Sequence, residues 1–344
     1  MAAGTYRGGL SIATLKGTKE LPIVIAGADP KDPPLIRGGG GGLHLSSPEH
    51  VELRDLVFAG ATGNGLNIDD GGSIESPAHH VVLRNVLVRD VGPDGNRDGI
   101  KLSGVDDFRI ENCRVERWGS GGSAIDMVGC HQGVITGCTF REGKDQANGV
   151  QAKGGSSQVV IERCRFENAG GRAVNAGGST GPPYFRPRDA DSEAKEIVVR
   201  DCEFIGGMSA IAFVGVDGAV AEHNTIYRPA RWAIRILQES TQDRFVPCRK
   251  GRFLSNVVVF RSDQVREIVN IGGNTAPETF EFSGNEWYCI DRPADTQRLV
   301  RLPVAEAKGT YGGDPKLKAP ESGDLSIPGR TSQGAGVRRD TYGR

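Results

Sequence analysis

Short apolar–polar–apolar triplets, each flanked by glycine or other small residues, recur along this chain. They are Leu43-His44-Leu45, Leu66-Asn67-Ile68, Ile100-Lys101-Leu102, Ile125-Asp126-Met127 and Val150-Gln151-Ala152, followed by Val174-Asn175-Ala176, Ile211-Ala212-Phe213, Ile234-Arg235-Ile236 and Val269-Asn270-Ile271. Their starts are separated by 23, 34, 25, 25, 24, 37, 23 and 35 residues. The basic unit is therefore about 24 residues, with three intervals lengthened by insertions. Each triplet is too short for a helix and alternates inward and outward as a strand does. A second apolar series follows at a nearly fixed offset, at 53–58, 83–88, 110–115, 135–140, 161–166, 199–204, 221–226, 254–259 and 282–287. Turn residues such as Ser46-Ser47-Pro48, Gly104 and Gly154-Gly155 separate the two series.

Two or three short strands per unit describe one coil of a right-handed parallel β-helix. A lone coil cannot bury its apolar face, but stacked coils share one continuous core. The expectation is an all-β solenoid of about nine to ten coils over residues 1–289. Residues 290–344 lose the period and are rich in Pro, Gly, Arg and Asp. They are expected to form an irregular tail that packs on the solenoid or caps its last coil, since an open end exposes unpaired strand edges. No ten-residue amphipathic helix interrupts the units, which argues against leucine-rich and ankyrin repeats.

Composition adds three constraints. The 50 glycines show no collagen-like period and belong in turns and tight corners. A formal charge of −1 gives no reason to expect a nucleic-acid or membrane-surface partner. No apolar stretch is long enough for a membrane span. A monomer is expected. No signal peptide is visible, although sequence from Gly4-Thr5-Tyr6 already reads as strand, and a secreted or periplasmic location is the expectation.

Seven cysteines without a C-x-x-C pair do not resemble a disulfide framework or a zinc site. The fourth place of the second series reads Leu56, Val86, Cys113, Cys138, Cys164, Cys202, Asn224, Val257 and Asn285. This predicts a buried ladder of small side chains, with amides of Asn224 and Asn285 bonded to turn backbone.

The outward places of the triplets form a polar row: His44, Asn67, Lys101, Asp126, Gln151, Asn175, Ala212, Arg235 and Asn270. A second outward row carries Asp69, Ser103, Val128, Lys153 and Gly177. Insertions at 71–98, 177–195 and 238–252 rise beside this sheet and would make it a groove. Tyr184, Phe185 and Arg186 in the second insertion, together with Asn67, Gln151, Asn175, Trp232 and Glu239, are candidate substrate-binding residues. Aromatic faces among amides and carboxylates suit a carbohydrate chain, and a polysaccharide or oligosaccharide is the expected partner.

Lys101 and Asp126 are row neighbours, either an ion pair or acid–base groups. Lys153 has no acidic neighbour evident in its row and is the preferred base, with Arg172 or Arg235 stabilising developing charge. Asp69, Asp70 and Asp98, with Asn67 and Asp126, supply hard oxygens that would suit a Ca2+ cofactor. His131, in a turn without a carboxylate beside it in sequence, reads as a surface histidine.

The stretches Asp98-Gly99-Ile100-Lys101-Leu102-Ser103-Gly104 and Ala124-Ile125-Asp126-Met127-Val128-Gly129-Cys130-His131 resemble the pectate-lyase-like superfamily of right-handed parallel β-helix proteins. So do Gly178-Ser179-Thr180-Gly181 and Ile234-Arg235-Ile236-Leu237-Gln238-Glu239. The likeness covers roughly residues 20–290 and is nearest to β-helix-repeat proteins of planctomycete-like bacteria. It implies the fold, in a superfamily of polysaccharide lyases, glycoside hydrolases, epimerases and phage tailspikes. Alginate and chondroitin lyases of this type use a strand-end lysine, a role Lys153 fits, and an arginine one coil on, where this chain has Asn175-Ala176-Gly177. Asn96-Arg97-Asp98-Gly99 is similar to a polygalacturonase motif, while the paired aspartates and the Gly-His-Gly are missing. The leading expectation is a lyase cleaving an acidic polysaccharide by β-elimination. The alternatives are a glycoside hydrolase using Asp98 and Asp126, or a non-catalytic glycan-binding solenoid.

Overall fold

Each triplet is hydrogen-bonded in parallel to the next, coil upon coil. His44 lies beside Asn67, Asn67 beside Lys101, Lys101 beside Asp126 and Asp126 beside Gln151, and the row continues through Asn175, Ala212, Arg235 and Asn270. In the computed structural model, which describes residues 1–330 and 334–338, these strands make a ten-stranded parallel sheet. Its first strand, Leu10–Ala13, pairs with Leu43–Ser46 and adds a coil before the first sequence triplet.

The remaining strands form the other walls. Between them the chain turns a corner at a residue with left-handed φ near +53°: Asp55, Asn85, Asn112, Arg163, Asp201, His223 and Ser255, with Gly137 and Gly284 serving the same purpose. Asp and Asn tolerate this conformation better than most side chains, which explains their frequency there. The residue after each corner points inward and builds the ladder. Its cysteine thiols are buried and donate to carbonyls two residues back, as from Cys164 to Glu162 and Cys202 to Arg200. Burial pushes the thiols of Cys113 and Cys164 well up from their ordinary range, so they pack as small apolar groups. Phe140, Phe166 and Phe204 stack alongside, with centroids 5.0 and 4.8 Å apart.

The ladder departs from the sequence reading at one rung, where Asn256 replaces Val257. Phe253, fully buried, is the inward residue that pairs with Phe282, so the series starts one place earlier than Leu254. Asn224, Asn256 and Asn285 form a continuous chain in which each backbone N–H donates to the next amide oxygen, at 2.9 and 2.8 Å. It ends on Glu306, whose carboxylate accepts from Asn285, the Trp287 indole and the Tyr311 hydroxyl.

Glu306 belongs to the C-terminal segment, which has two jobs. A one-turn helix, Thr296–Leu299, with Val300, Leu302 and Val304, covers the last coil, and Thr310–Tyr311 pairs with Glu286 and Trp287. The chain then returns along the solenoid, where Leu325 and Ala335 pack on Tyr227, Val257 and Val259.

The first insertion is two loops rather than one. The strand Ala78–Arg89 lies between them, and residues 70–77 and 90–98 project on either side.

Candidate active site

The first and second insertions wall a cleft of about 530 Å3 over the ten-stranded sheet. Lys101, Ser103, Val128 and Lys153 form its floor; Asp70, Gly72, Ile74 and Asn96 form one side, and residues 179–188 the other. Outward positions of three consecutive coils thus face a single space, as the alternation of the strands requires.

The second insertion is held by a carboxylate that periodicity gave no reason to single out. Glu193 is fully buried and accepts from the Gly154 N–H, the Thr180 N–H and hydroxyl, and the Ser240 hydroxyl. It therefore ties the second and third insertions to the Gly154 turn. Gly177 begins the loop with φ +93°, and a Cβ there would lie 1.8 Å from the Val214 carbonyl oxygen. Only glycine fits at this departure point. Arg186 closes the base of the loop through a bidentate ion pair with Asp106 and a bond to the Gly129 carbonyl. His131, half-buried nearby, bonds Ser157; burial and then Arg186 depress its pKa, which favours the neutral ring.

Beneath the floor lies a charged cluster. Asp126 is buried between two lysines: its Oδ2 contacts the Lys101 ammonium directly, and its Oδ1 is 3.4 Å from Lys153 Nζ. Lys153 therefore does have an acidic neighbour, because the long side chain reaches diagonally across the rows. Asp98 is also buried, with Oδ1 accepting the Ser123 N–H at 2.7 Å and Oδ2 3.9 Å from Lys101 Nζ. Burial, and then repulsion from Asp126, raise its pKa to about 6. Burial works against the charge on Lys101, but Asp126 and Asp98 outweigh it and raise its pKa. The cluster is neutral when Asp98 is ionised and carries one positive charge when Asp98 is protonated.

Two of the arginines sit elsewhere. Arg172 pairs with Asn148 at the opposite end of the sheet strands from Lys153, and its guanidinium binds Glu239. Arg235 lies three coils along the row from Gln151 and donates to Asn270. Desolvation and the neighbouring Arg172 depress its pKa. Neither adjoins Lys153, so the expected pairing of that base with either arginine is not met. Trp232 belongs to this second patch, with Arg231 and Arg235 over its ring at 4.1 and 4.3 Å from the centroid.

Among the other candidates, Tyr184 is 70% exposed on the cleft wall, whereas Phe185 is fully buried against Phe245 and beneath Arg244. Phe185 anchors the loop and is not a sugar platform. Gln151 is buried and accepts from Ser123 and Asn148. Asn175 is 1% exposed, and its Nδ2 lacks a hydrogen-bond partner.

The carboxylates expected to hold Ca2+ do not converge. Asp69 accepts from His44, Asn67 and the Gly71 N–H, and Asp70 from the Gly72 N–H. Asp98 faces Lys101 instead. Oxygens so engaged, beside an ammonium, do not fit a calcium ion that needs six to eight hard ligands.

A charged groove walled by insertions on a parallel solenoid defines a class, the parallel β-helix proteins. Within it the chain belongs to the family described as right handed beta helix region, whose model matches residues 36–242. The solved structures it resembles include pectate lyase Pel9A, with TM-score 0.52 and 14% identity over 82% of this chain and 69% of that one. Alginate lyase from Paenibacillus sp. str. FPU-7 has TM-score 0.48 and 17% identity over 80% and 88% of the two chains. The catalytic domain of a GH87 alpha-1,3-glucanase has TM-score 0.42 and 12% identity over 83% and 64%. Comparison with curated proteins gives no sequence match. At these identities the likeness is one of fold.

Proposed function

We propose that the protein is a carbohydrate-active enzyme that holds an acidic polysaccharide in the cleft and cleaves it by β-elimination. The observation that carries this reading is the order of charge with depth. Four cations, Lys101, Lys153, Arg186 and Arg188, line the cleft against one carboxylate at its side, Asp70, while Asp98 and Asp126 lie behind them. A uronate carboxylate on the floor would meet cations first. Lys153, held less closely by Asp126 than Lys101 is, first yields its ammonium proton to solvent and then, as the neutral amine, takes the proton next to the carboxylate. The electron pair enters a new ring C=C bond, the glycosidic C–O bond breaks, and the departing oxygen takes a proton from solvent. Lys101 and Arg188 stabilise the enolate-like charge that develops. The fold shared with a pectate lyase is compatible with this chemistry.

One observation favours hydrolysis as the second reading. Asp98, with a pKa near 6, holds a proton in mildly acidic solution as a general acid does, beside an Asp126 held between lysines. The test is incubation with a panel of uronate polysaccharides. Unsaturated chain ends, read by ultraviolet absorbance and lost in Lys153→Gln, support elimination. New reducing ends without that absorbance, lost in Asp98→Asn, establish hydrolysis instead. Affinity without any product would make the protein a glycan-binding solenoid.

A further inference from the structure

Three of the six histidines gather away from the cleft, on the wall that follows the first loop. His50 lies on the strand Glu49–Ala59, and His79 and His80 on Ala78–Arg89, one coil further. The parallel register sets Glu49 against His79 and Val51 against Val81, which brings His50 beside His80. Consecutive strand residues normally point to opposite faces. Here His50 and His80 have φ of +50° and +55°, and the local twist brings the rings of His79 and His80 together. The His50 and His80 rings stack at 4.2 Å, and His79 stands edge-on to both at 5.6 and 5.0 Å.

One nitrogen from each ring lies within 4.8 Å of the other two, and the two Nδ1 atoms of His79 and His80 are 2.8 Å apart. A tetrahedral zinc with Zn–N bonds of about 2.0–2.1 Å needs N···N separations of about 3.3 Å, inside that range. Glu49 stands nearby, its Oε1 4.0 Å from His79 Nε2 and accepting from the Lys16 ammonium. A carboxylate behind a ligating imidazole is the usual means of fixing ring orientation. His79 and His50 are half-buried and His80 is exposed, so an ion has both a pocket and a way in.

We propose that His50, His79 and His80 bind one divalent transition cation of the zinc class, with solvent completing its coordination. Three imidazoles select zinc, copper or nickel over calcium or magnesium, which prefer oxygen. The ion would clip together two coils at the point where the loop 70–77 rejoins the wall. Because Asp70, Gly72 and Ile74 of that loop line the cleft, the clip would also steady one side of the cleft.

The test is calorimetric titration of the intact chain with ZnCl2, alongside His80→Asn and the double variant His50→Asn/His80→Asn. Asparagine tolerates the left-handed backbone at both places, so the fold is retained and circular dichroism checks it. The expected result is one zinc per chain, weakened by about ten-fold or more in the single variant and lost in the double, with CaCl2 unable to compete. Cobalt should give the intense visible bands of a four-coordinate site. Absence of zinc binding at about 1 mM in the unaltered chain overturns the proposal. Undiminished binding in the double variant overturns it equally, since the ion would then sit elsewhere.

Discussion

Asp98→Asn offers a quantitative check on the electrostatics beneath the cleft. Asp98 is buried, and its pKa is raised from 3.8 to about 6, by burial first and by Asp126 second. A carboxyl whose folded pKa lies above its unfolded value binds more protons folded than unfolded between the two. Stability therefore falls as pH rises through that window, opposite to the usual behaviour of a salt-bridged aspartate. A shift of roughly two units corresponds to about 3 kcal/mol, lost between about pH 4 and pH 6 and absent in the variant. Asparagine keeps an oxygen for the Ser123 N–H, which donates to Asp98 Oδ1 at 2.7 Å, and any constant cost of the substitution cancels when pH values are compared. The assay is urea unfolding of both proteins across this range. The difference in unfolding free energy should move by about 3 kcal/mol in favour of the variant as pH rises. Parallel pH profiles would refute the reasoning, and movement in the opposite sense would mean that Lys101 outweighs burial at Asp98.

Three further outcomes follow from the packing. Asn256→Leu removes the acceptor of the Asn224 N–H and amide, leaving two buried donors, so urea unfolding should show a loss of about 3 kcal/mol. Glu193→Ala strands the Thr180, Ser240 and Gly154 donors; residues 177–195 should become protease-sensitive and substrate KM should rise, while the strand signal in circular dichroism persists. EGTA or added CaCl2 should leave turnover unchanged, because Asp69, Asp70 and Asp98 do not share a site.

The repeat was legible because each coil imposes the same inward–outward alternation, and the row from His44 to Asn270 follows from it directly. The single slip, Val257 for Asn256, came where Leu254 and the inward Phe253 are adjacent apolar residues and either fits the pattern. What the alternation does not encode is the path of the insertions. Phe185 looked like a sugar platform beside Tyr184, yet the loop turns it inward onto Phe245. Glu193 was hidden for the same reason, since its partners come from three segments far apart in sequence. Side-chain reach was the other blind spot: Lys153 meets Asp126 diagonally, a contact that a row-by-row reading omits. The histidine trio left a signal, because His79-His80 follows His50 by about one coil, but the signal needs the left-handed backbone to become a cluster.

The most direct test of the central claim is a crystal structure of Lys153→Gln with an acidic oligosaccharide. The account predicts a sugar ring over Lys101 and Gln at position 153, between Tyr184 and the loop 70–77, with its carboxylate toward Arg188. A chain bound instead along the Arg172, Trp232 and Arg235 patch, or on another wall of the solenoid, would contradict it.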